Sequence, residues 1–294
     1  MVAILLFNDV KLTIHLLVVN YHSSEWIDRL LRSIPAETEV NIRVVIANNS
    51  PEDRDIDLLQ RDTVTILDAG ENVGFGGGCN LGLEWIWQRD REALVWLINP
   101  DAQLKSDSIS GIVAFFDKFP YLSIVGTTIE KPNGDIWFAG GEFDAETGTI
   151  SVSTQIPKDD DRSFIRCNWV SGCSTILNLK NFSACPKFDR AFFLYYEDFD
   201  FCQRYANEGH AIAIVPHLSI VHHPSSIADR QIVAKYTYST CGYLLSLKRY
   251  ATRSALYWRW LRLLCHAIAL LLVKPKVAIG KLRGSLISMS NELQ

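Results

Sequence analysis

Residues 93–99, ALVWLIN, form a continuous apolar run that is followed at once by Pro100 and Asp101. A strand without polar alternation is typical of a parallel sheet that is covered by helices on both faces. Pro100 has no amide hydrogen for a strand ladder, so the strand should end before it. The stretch therefore predicts a buried parallel strand that places a carboxylate, Asp101, at its carboxyl end.

Similar apolar runs lie on both sides of this strand and alternate with helical segments. The other predicted strands cover residues 13–20, 40–48, 64–67 and 122–127, and the predicted helices cover residues 24–33, 78–90 and 106–118. This alternation indicates βαβ units, so we expect an α/β fold with a Rossmann-like, mostly parallel sheet. In such sheets, ligands bind beyond the carboxyl ends of the strands.

The rhythm of the sequence changes after residue 128. Turn signals at residues 133–135, 139–144 and 146–148 separate short segments and predict a small antiparallel part. Residues 167–179 are strand-rich, 197–207 are predicted to be helical, and 211–216 and 218–223 are predicted to be two short strands. From about residue 230 the chain is predicted to be helical. We therefore expect two regions, residues 1–228 and a C-terminal helical region of residues 229–294.

The C-terminal helical region is basic. From residue 230 it carries eleven Lys and Arg side chains but one acid, in a chain whose net charge is −4. Its uncharged span, Leu263 to Val273, is 11 residues long, short of the roughly 20 that cross a bilayer. The span could lie in a membrane interface, or it could belong to a core helix of a helical hairpin. In the interfacial alternative, headgroup contacts come from Trp258, Trp260, Arg259, Arg262, Lys274 and Lys276.

Cysteine usage and the N-terminus indicate the compartment. The seven cysteines are an odd number and include no C-x-x-C pair, which predicts reduced thiols. The apolar stretch at the N-terminus is too short for a signal peptide and reaches Asp9 early. We therefore expect a cytoplasmic protein. The basic C-terminal region adds an anionic membrane surface as an expected partner. Nucleic acid is not an expected partner.

Residues 71–83, ENVGFGGGCNLGL, place a glycine-rich segment between the third predicted strand and a helix. Its glycines Gly74, Gly76, Gly77 and Gly78 would let backbone amides approach a phosphate or a ribose closely. The alternative is a structural glycine turn. A dinucleotide-binding G-x-G-x-x-G loop is disfavoured, because Cys79 occupies the last glycine position and the segment does not follow the first strand.

Three acids lie near the start of the predicted helix at residues 197–207. At about 100° per residue, Asp198 points with the apolar side chains. Glu197 and Asp200 fall on the opposite, polar arc, where Asp200 can pair with Arg204. A carboxylate on an apolar face needs a partner or a task, and the helix dipole helps to keep it ionised. Asp198 is therefore a candidate general base, with helix capping as the alternative.

Two histidines, His222 and His223, end the last predicted strand. Oxygen atoms at the Asn99-Pro100-Asp101 strand end suit a hard divalent cation that also takes phosphate oxygens. One of the histidines could add a nitrogen ligand to a cation held by Asp101. The alternatives are a simple turn at Asn99-Pro100-Asp101 and an unconnected surface histidine pair.

Seven motifs, taken in order, give the chain a family resemblance: VVNYHS, NNS, ENVGFGGGCNLG, NPDA, WVSGCSTI, FFLYYEDFDFCQR and VHHPSS. Over about residues 13 to 226 the chain resembles the family 2 inverting glycosyltransferases, specifically the branch with rhamnosyltransferases of bacterial cell-surface polysaccharide synthesis. The resemblance implies a glycosyltransferase A-type fold that binds a nucleoside diphosphate sugar and a divalent cation, Mg²⁺ or Mn²⁺.

The resemblance also implies roles for single residues. It makes Asp198 the catalytic base and gives the cation to Asp101 and His222. The implied donor-binding residues are Asn20, Tyr21, Asn48, Asn49, Gly74, Phe75, Gly76, Asn80, Asn99 and Asp101, and the implied sugar and acceptor residues are Trp169, Ser171, Gly172 and Glu197. The chain departs from the family pattern at two positions. Ala47 stands where an acid is common, with Glu52 or Asp53 as substitutes, and Asn99 replaces an acid of the Asp-x-Asp motif.

The implied function is the inverting, metal-dependent transfer of a sugar to a lipid-linked or polysaccharide acceptor at the inner face of the cell membrane. The expected sugar is L-rhamnose from a deoxythymidine diphosphate carrier, with residues 1–228 as the catalytic domain. One alternative is a nucleotidyltransferase, which is disfavoured because residues 20–26, NYHSSEW, contain no Lys, Arg or Gly. Another is a sugar-nucleotide-binding protein without catalysis. Homo-oligomerisation is left open.

Overall fold

The computed structural model describes residues 12–36, 40–156, 163–223 and 231–289. Within these ranges the chain forms seven α-helices and twelve β-strands. The predictions for the segment before residue 12, for the end of the VHHPSS motif and for the boundary at residue 228 lie outside the described residues.

Strands and helices are numbered in chain order. The strands are β1 (Thr13–Asn20), β2 (Asn41–Asn48), β3 (Val64–Asp68), β4 (Leu94–Ile98), β5 (Ala102–Leu104), β6 (Ile124–Glu130), β7 (Ile136–Phe138), β8 (Gly141–Asp144), β9 (Thr149–Val152), β10 (Ile165–Arg166), β11 (Ser174–Asn178) and β12 (Ile212–His222). The helices are α1 (Ser24–Arg32), α2 (Gly74–Trp87), α3 (Ser108–Lys118), α4 (Glu197–Asn207), α5 (Ile232–Tyr250), α6 (Arg253–Leu270) and α7 (Pro275–Met289).

Ten of the described strands form one mixed sheet. Its order is β10-β12-β6-β11-β4-β1-β2-β3, with β5 paired to β12 and β7 paired to β6. The strands β3, β2, β1 and β4 are parallel, whereas β11 runs antiparallel between β4 and β6. β8 and β9 form a separate antiparallel pair. The predicted fold class, a mostly parallel sheet with a small antiparallel part, is confirmed.

The central strands are buried on both faces, as their continuous apolar runs predicted. Along β1, Leu16 and Val18 pack with α1 and α3 on one face, and Leu17 and Val19 pack with α2 and α4 on the other. Successive side chains of a strand point to opposite faces, so both sets must be apolar when helices cover both. The carboxyl ends of these strands are therefore held at one rigid edge.

Helix α2 begins at Gly74, four residues earlier than predicted. The prediction was wrong because glycine costs about 1 kcal/mol per position in a helix, which argues against a helical start in this segment. Close packing overrides that cost. A Cβ atom on Gly78 would lie 2.7 Å from Val19, and one on Gly76 would lie 2.9 Å from Phe188. The absent side chains let α2 approach β1 closely.

A single strand, β12, replaces the two short strands predicted at residues 211–216 and 218–223. It pairs in parallel with β6, and its register shifts between Val215 and Ser219. Pro216 lies in this shift and has no amide to donate, so the strand bulges there without ending. The continuous strand carries His222 to the edge where β5 pairs with it.

The C-terminal helices contain a close helix pair. Cβ atoms on Gly280 and Gly284 of α7 would lie 2.7 Å and 2.6 Å from the carbonyl oxygens of Val233 and Thr237 in α5. α6 ends at Leu270 and α7 starts at Pro275, so the uncharged span Leu263 to Val273 runs from α6 into the turn between the two helices. Proline is favoured at a first helical position because it lacks the amide left unpaired there. None of the helices in the described ranges is long and apolar enough to cross a membrane.

All seven cysteines are free thiols, which confirms the prediction from their odd number. Six of them have their thiol pKa raised, with burial as the largest cause: Cys79, Cys167, Cys173, Cys185, Cys202 and Cys241. A thiol with a raised pKa stays protonated and behaves as a small apolar side chain. These cysteines therefore belong to the packing of the fold.

Candidate active site

The turn formed by Ser171, Gly172 and Cys173 joins the two acids that the sequence singled out. The carbonyl oxygen of Cys173 accepts a 3.0 Å hydrogen bond from the amide of Asn99, just before Asp101. The amide of Gly172 donates a 2.9 Å hydrogen bond to Oδ2 of Asp198. Burial raises the pKa of the Cys173 thiol well above its usual range, and the carboxylates of Asp101 and Asp198 raise it further. Asp101 and Asp198 therefore both lie close to this turn.

Asp101 and His222 form a buried pair. The short strand β5 starts directly after Asp101 and pairs with β12, in a register that sets Ala102 opposite His222. This pairing brings Oδ1 of Asp101 to 3.1 Å from Nε2 of His222. The second ring nitrogen of His222, Nδ1, is buried without a hydrogen-bond partner among the described residues, and the ring lies 5.1 Å from that of Trp137. The structure thus brings together the two residues predicted to hold a cation.

The carboxylate of Asp198 is held at both oxygens by backbone amides. Oδ2 accepts from Gly172, and Oδ1 accepts a 2.8 Å hydrogen bond from Phe199. Burial raises the pKa of Asp198, while the two amides oppose this shift by stabilising the ionised form. The N-cap position of α4 belongs to Tyr196, so Asp198 lies inside the first turn. The capping alternative does not describe this geometry.

Glu197 is buried, which corrects the prediction that it points outward. Its side chain packs beside Gly76 of α2, and its Oε2 atom has no hydrogen-bond partner within the described ranges. Burial, followed by the charge of Asp198, raises the pKa of Glu197 to about 8. Burial thus favours the protonated form of Glu197, which lies next to the candidate base.

Asp200 is also buried, against the prediction of an outward position. Its side chain is 0% exposed, yet the predicted pair with Arg204 is present, with Nε donating to Oδ2 at 2.8 Å. The helical-wheel argument was wrong because α4 is covered on both sides, by α2 and by α5. A wheel separates apolar from polar side chains, but it does not show which side a neighbouring helix occupies.

The ends of β1 and β2 bring the predicted nucleoside residues together. Nδ2 of Asn20 donates to Oδ1 of Asn48 at 2.9 Å and to Oδ2 of Asp53 at 3.1 Å. Oδ1 of Asp53 also accepts from the hydroxyl of Ser24 at 3.2 Å. Of the two acids named as substitutes at the second loop, Asp53 joins this cluster, whereas Glu52 pairs with His22 at 3.0 Å. Tyr21 is exposed beside the cluster.

The glycine segment binds other parts of the protein. The amide of Gly74 donates to the side chain of Asn72 at 3.0 Å, and that of Phe75 donates to the carbonyl of Phe193 at 3.1 Å. These two amides are therefore engaged within the protein, and the approach of the glycine-segment amides to a phosphate or a ribose stays a prediction. The carbonyl of Gly74 accepts a 2.8 Å hydrogen bond from Nδ2 of Asn49.

Asn80 joins α2 to the segment before α4. Its side-chain amide donates to the carbonyl of Phe188 at 2.9 Å and accepts from the amide of Phe188 at 2.7 Å. These paired bonds give Asn80 a structural task across 108 positions of sequence. The predicted contact of Asn80 with a donor stays a prediction.

Trp169 and Ser171 precede Gly172, whose amide binds Asp198. The ring of Trp169 packs against the backbone of Gly141 and against Phe138 and Phe199, and its Nε1 is buried without a partner in the part of the chain that the structure describes. The hydroxyl of Ser171 accepts from the amide of Cys173 at 3.3 Å. Gly172 lies against the ring of Phe75. A Cβ atom on Gly172 would lie 3.0 Å from that ring, so a side chain at position 172 would crowd it.

Sequence reasoning missed several residues of this site. Arg249 and Tyr250 contact Asp200 from positions about fifty residues later, and Trp137 packs against His222. No local motif marks them, because their contacts arise from the way distant elements pack. Tyr195 and Tyr196 have positive φ angles of 72° and 67°, a conformation rare for bulky side chains. No sequence pattern marks that strain either.

Known proteins match both the sequence and the fold. Residues 16–176 match the family described as Glycosyl transferase family 2. The N-acetylglucosaminyl-diphospho-decaprenol L-rhamnosyltransferase of Mycobacterium tuberculosis is 24% identical over 237 residues, which cover 72% of this chain and 76% of that protein. Rhamnosyltransferase WbbL of Escherichia coli is 20% identical over 220 residues, which cover 71% of this chain and 83% of that protein.

Solved structures share the fold at low sequence identity. The mannosyltransferase PcManGT from Pyrobaculum calidifontis, in complex with GDP-Man and Mn²⁺, has a TM-score of 0.54 and 13% identity, covering 95% of this chain and 87% of that one. GalNAc-T7 with UDP, GalNAc and Mn²⁺ has a TM-score of 0.59 and 11% identity, covering 73% of this chain but 44% of that one. This chain thus spans less than half of GalNAc-T7. The chain belongs to glycosyl transferase family 2, with a glycosyltransferase A-type fold and a resemblance to the rhamnosyltransferase branch.

Proposed function

We propose that this glycosyltransferase moves a sugar from a nucleoside diphosphate donor to a hydroxyl group of a glycan or lipid-linked acceptor, with inversion at the anomeric carbon. The observation that carries the proposal is that Asp198 and Asp101 both lie close to the Ser171–Cys173 turn. One acid can take a proton from the acceptor while the other lies on the side of the departing diphosphate.

The proposed reaction is a single displacement. Asp198 takes the proton of the acceptor hydroxyl, whose oxygen forms a bond to the anomeric carbon while the bond from that carbon to the diphosphate oxygen breaks. The product is a glycoside of inverted configuration, and the nucleoside diphosphate keeps the electron pair. The amides of Gly172 and Phe199 fix the direction of the Asp198 carboxylate. Burial raises the pKa of Asp198, and a base whose pKa lies closer to neutrality accepts a proton more readily.

Asp101 and His222 fit a divalent cation. They offer a carboxylate oxygen and an imidazole nitrogen side by side, and the buried Nδ1 of His222 has no other partner within the described ranges. Groups of three or more such ligands are absent from these ranges, so a diphosphate and water would complete the coordination. A bound Mg²⁺ or Mn²⁺ would neutralise charge that develops on the leaving diphosphate.

The donor is proposed to lie against the carboxyl ends of β1 and β2. Asn20, Asn48 and Asp53 form a polar cluster there, with Tyr21 exposed beside it and Asn49 behind it. Rhamnosyltransferases among the relatives support L-rhamnose as the sugar, and we propose a deoxythymidine diphosphate carrier for it. Trp169, Ser171 and Gly172 are proposed to face the sugar and the acceptor.

The acceptor is proposed to be lipid-linked, because the mycobacterial relative is named for a decaprenol-linked substrate. We propose that residues 1–228 form the catalytic domain and that the basic region of residues 229–294 rests on the inner face of the cell membrane. In that region Leu272 and Val273 are 96% and 74% exposed, and the exposed cations Lys274 and Lys276 follow them. Exposed apolar side chains next to cations suit an interface with anionic lipids.

Asp198→Asn tests the proposed base. The variant keeps the shape of the side chain and loses the proton-accepting oxygen, so transfer is expected to fall by about 10²- to 10⁴-fold. Donor binding, followed by thermal shift with Mn²⁺ and a panel of nucleotide sugars, is expected to persist. Asp117→Asn on the exposed surface of α3 is the matched control. Unchanged transfer in Asp198→Asn would remove Asp198 from this role, and a wild-type chain that binds donor without transfer would indicate a non-catalytic binding protein.

A further inference from the structure

Asp200 anchors α4 on the side of the helix opposite Asp198. Its Oδ1 atom accepts hydrogen bonds from Nη1 of Arg249 and from the hydroxyl of Tyr250, both at 2.7 Å. Its Oδ2 atom accepts from Nε of Arg204 at 2.8 Å. Two residues apart on a helix correspond to about 200° of rotation, so the anchor and the candidate base face in opposite directions. Arg249 and Tyr250 are the last two residues of α5.

Helix α5 also supports the backbone that leads into α4. Tyr195 and Tyr196 have left-handed φ angles of 72° and 67°. This conformation is unfavourable for bulky residues and persists only where contacts with the surrounding structure stabilise it. The missing side chain of Gly242 makes room for the carbonyl oxygen of Tyr195, since a Cβ atom there would collide with it. The ring of Tyr243 packs 5.7 Å from the ring of Tyr196. One helix therefore contacts both the strained entry and the rear anchor of α4.

We infer that α5 is a positioning element for Asp198, with Arg249, Tyr250 and Gly242 as its positioning residues. The inference rests on the proposed role of Asp198 as the base. Asp198 is the second residue of α4, so a rotation or a shift of the helix start moves its carboxylate away from the amide of Gly172. Because α5 lies beyond residues 16–176, this support comes from the C-terminal region and not from the segment that matches the family.

The inference is tested in the full chain with two substitutions on α5. Gly242→Ala pushes against Tyr195, and Tyr250→Phe removes one hydrogen bond to Asp200 without changing the size of the ring. Each is expected to lower kcat by about tenfold or more while the donor KM stays within about twofold, because misplacing a reacting group costs rate without weakening donor binding. Arg253→Gln, which changes an exposed cation at the start of α6, is the matched control and keeps the wild-type kcat.

Arg249 provides a separate comparison. Arg249→Gln removes a cation from the buried Asp200 carboxylate, whereas Arg249→Lys keeps a positive charge at the same position. The lysine variant is expected to recover part of the kcat that the glutamine variant loses, since it restores the charge but not the geometry of the guanidinium. If Arg249→Gln or Gly242→Ala does not fold, Tyr250→Phe still decides the question, because it adds no atom to the packing.

A readout without turnover separates this inference from the proposed function. In protein labelled with ¹³C-aspartate, the carboxyl resonance of Asp198 is identified by its loss in Asp198→Asn. The resonance is expected to shift in Gly242→Ala and Tyr250→Phe, and to stay in place in Arg253→Gln. A wild-type chain without transferase activity would contradict the proposed function. The resonance would still report whether α5 positions the Asp198 carboxylate. Folded Gly242→Ala and Tyr250→Phe variants with an unmoved Asp198 resonance overturn the inference, whether kcat is unchanged or falls together with thermal stability.

Discussion

Oδ1 of Asp101 lies 3.1 Å from Nε2 of His222, although the two residues are 121 positions apart in the sequence. The register of β5 on β12 creates this pair, since it sets Ala102 opposite His222. The amide of His223 then donates a 2.8 Å hydrogen bond to the carbonyl of Asp101, which holds the strand end in place. A carboxylate oxygen and an imidazole nitrogen are thereby held side by side at the carboxyl edge of the sheet.

This pair predicts a metal dependence that is specific to one of the two adjacent histidines. Asp101→Asn and His222→Gln are each expected to weaken Mn²⁺ binding in the presence of a nucleoside diphosphate by about tenfold or more, because each removes a ligand. Isothermal titration with Mn²⁺ measures the effect. His223→Gln is the control, since its ring packs 6.0 Å from Trp26 and away from the pair. Equal losses in the His222 and His223 variants would contradict the assignment.

Asp53 is expected to contribute to donor recognition. Its carboxylate accepts hydrogen bonds from Asn20 at the end of β1 and from Ser24 at the start of α1. Asp53→Asn should raise the donor KM by about tenfold with little change in kcat, which is the pattern for lost binding that does not depend on the transition state. Glu52→Gln, which alters the neighbouring acid that pairs with His22, should leave the donor KM unchanged. A lowered kcat at constant KM in Asp53→Asn would argue against a binding role.

Glu197 predicts a pH-dependent cost in stability. Below about its ordinary pKa of 4.5 the carboxyl is protonated in both the folded and the unfolded chain. Between that pH and about 8 the unfolded chain releases the proton and the folded chain keeps it, so the free energy of unfolding falls as pH rises. Glu197→Gln removes this difference and should be more stable than wild type by a few kcal/mol at pH 8, with no gain at pH 4.5.

Urea unfolding at the two pH values measures this difference. Glu92→Gln, on the exposed surface after α2, is the matched control and should follow the wild-type pH dependence. A Glu197→Gln variant whose advantage is the same at both pH values would mean that Glu197 does not carry the raised pKa.

The turn between α6 and α7 is expected to carry membrane binding. Leu272→Glu is expected to reduce binding to phosphatidylglycerol vesicles by about tenfold or more, because it loses the burial of a leucine in the interface. Leu58→Glu is the matched control, since Leu58 is 82% exposed but lies far along the chain, after β2. Vesicle co-sedimentation measures binding, and deletion of residues 252–294 should abolish it. High salt should release part of the bound protein.

Two results would count against this surface. Full-length protein that ignores anionic vesicles would exclude an interfacial role for the α6–α7 turn. A change in oligomeric state on Leu272→Glu, seen by light scattering, would instead indicate that a second copy of the chain covers these side chains.

Local sequence patterns predicted the strands of the sheet closely. β1 and β2 match their apolar runs to within a residue, and β4 ends just before Asn99 and Pro100. A strand that is buried on both faces needs apolar residues at every position, so its composition marks it without reference to any partner. The strand ends then follow from Pro100 and from polar residues such as Asn20 and Asn48.

Predictions that depended on a neighbour were less accurate. α2 starts at Gly74 although glycine disfavours a helix, because the missing side chains let the helix pack closely against β1 and Phe188. The wheel for α4 placed Glu197 and Asp200 in solvent, whereas α2 and α5 cover them. Periodicity reports which residues share a helix face, but the burial of that face depends on elements far away in the sequence.

The sequence by itself determined the α/β class, the carboxyl ends of the parallel strands and the acids placed there, because backbone geometry and apolar burial act over a few residues. Only the tertiary structure decided that β12 brings His222 to Asp101 and that Gly172 holds Asp198. It also decided that Arg249 and Tyr250 of α5 donate hydrogen bonds to Asp200. Contacts between residues that are 26 to 121 positions apart depend on how helices and strands pack in three dimensions, and no local pattern encodes that packing.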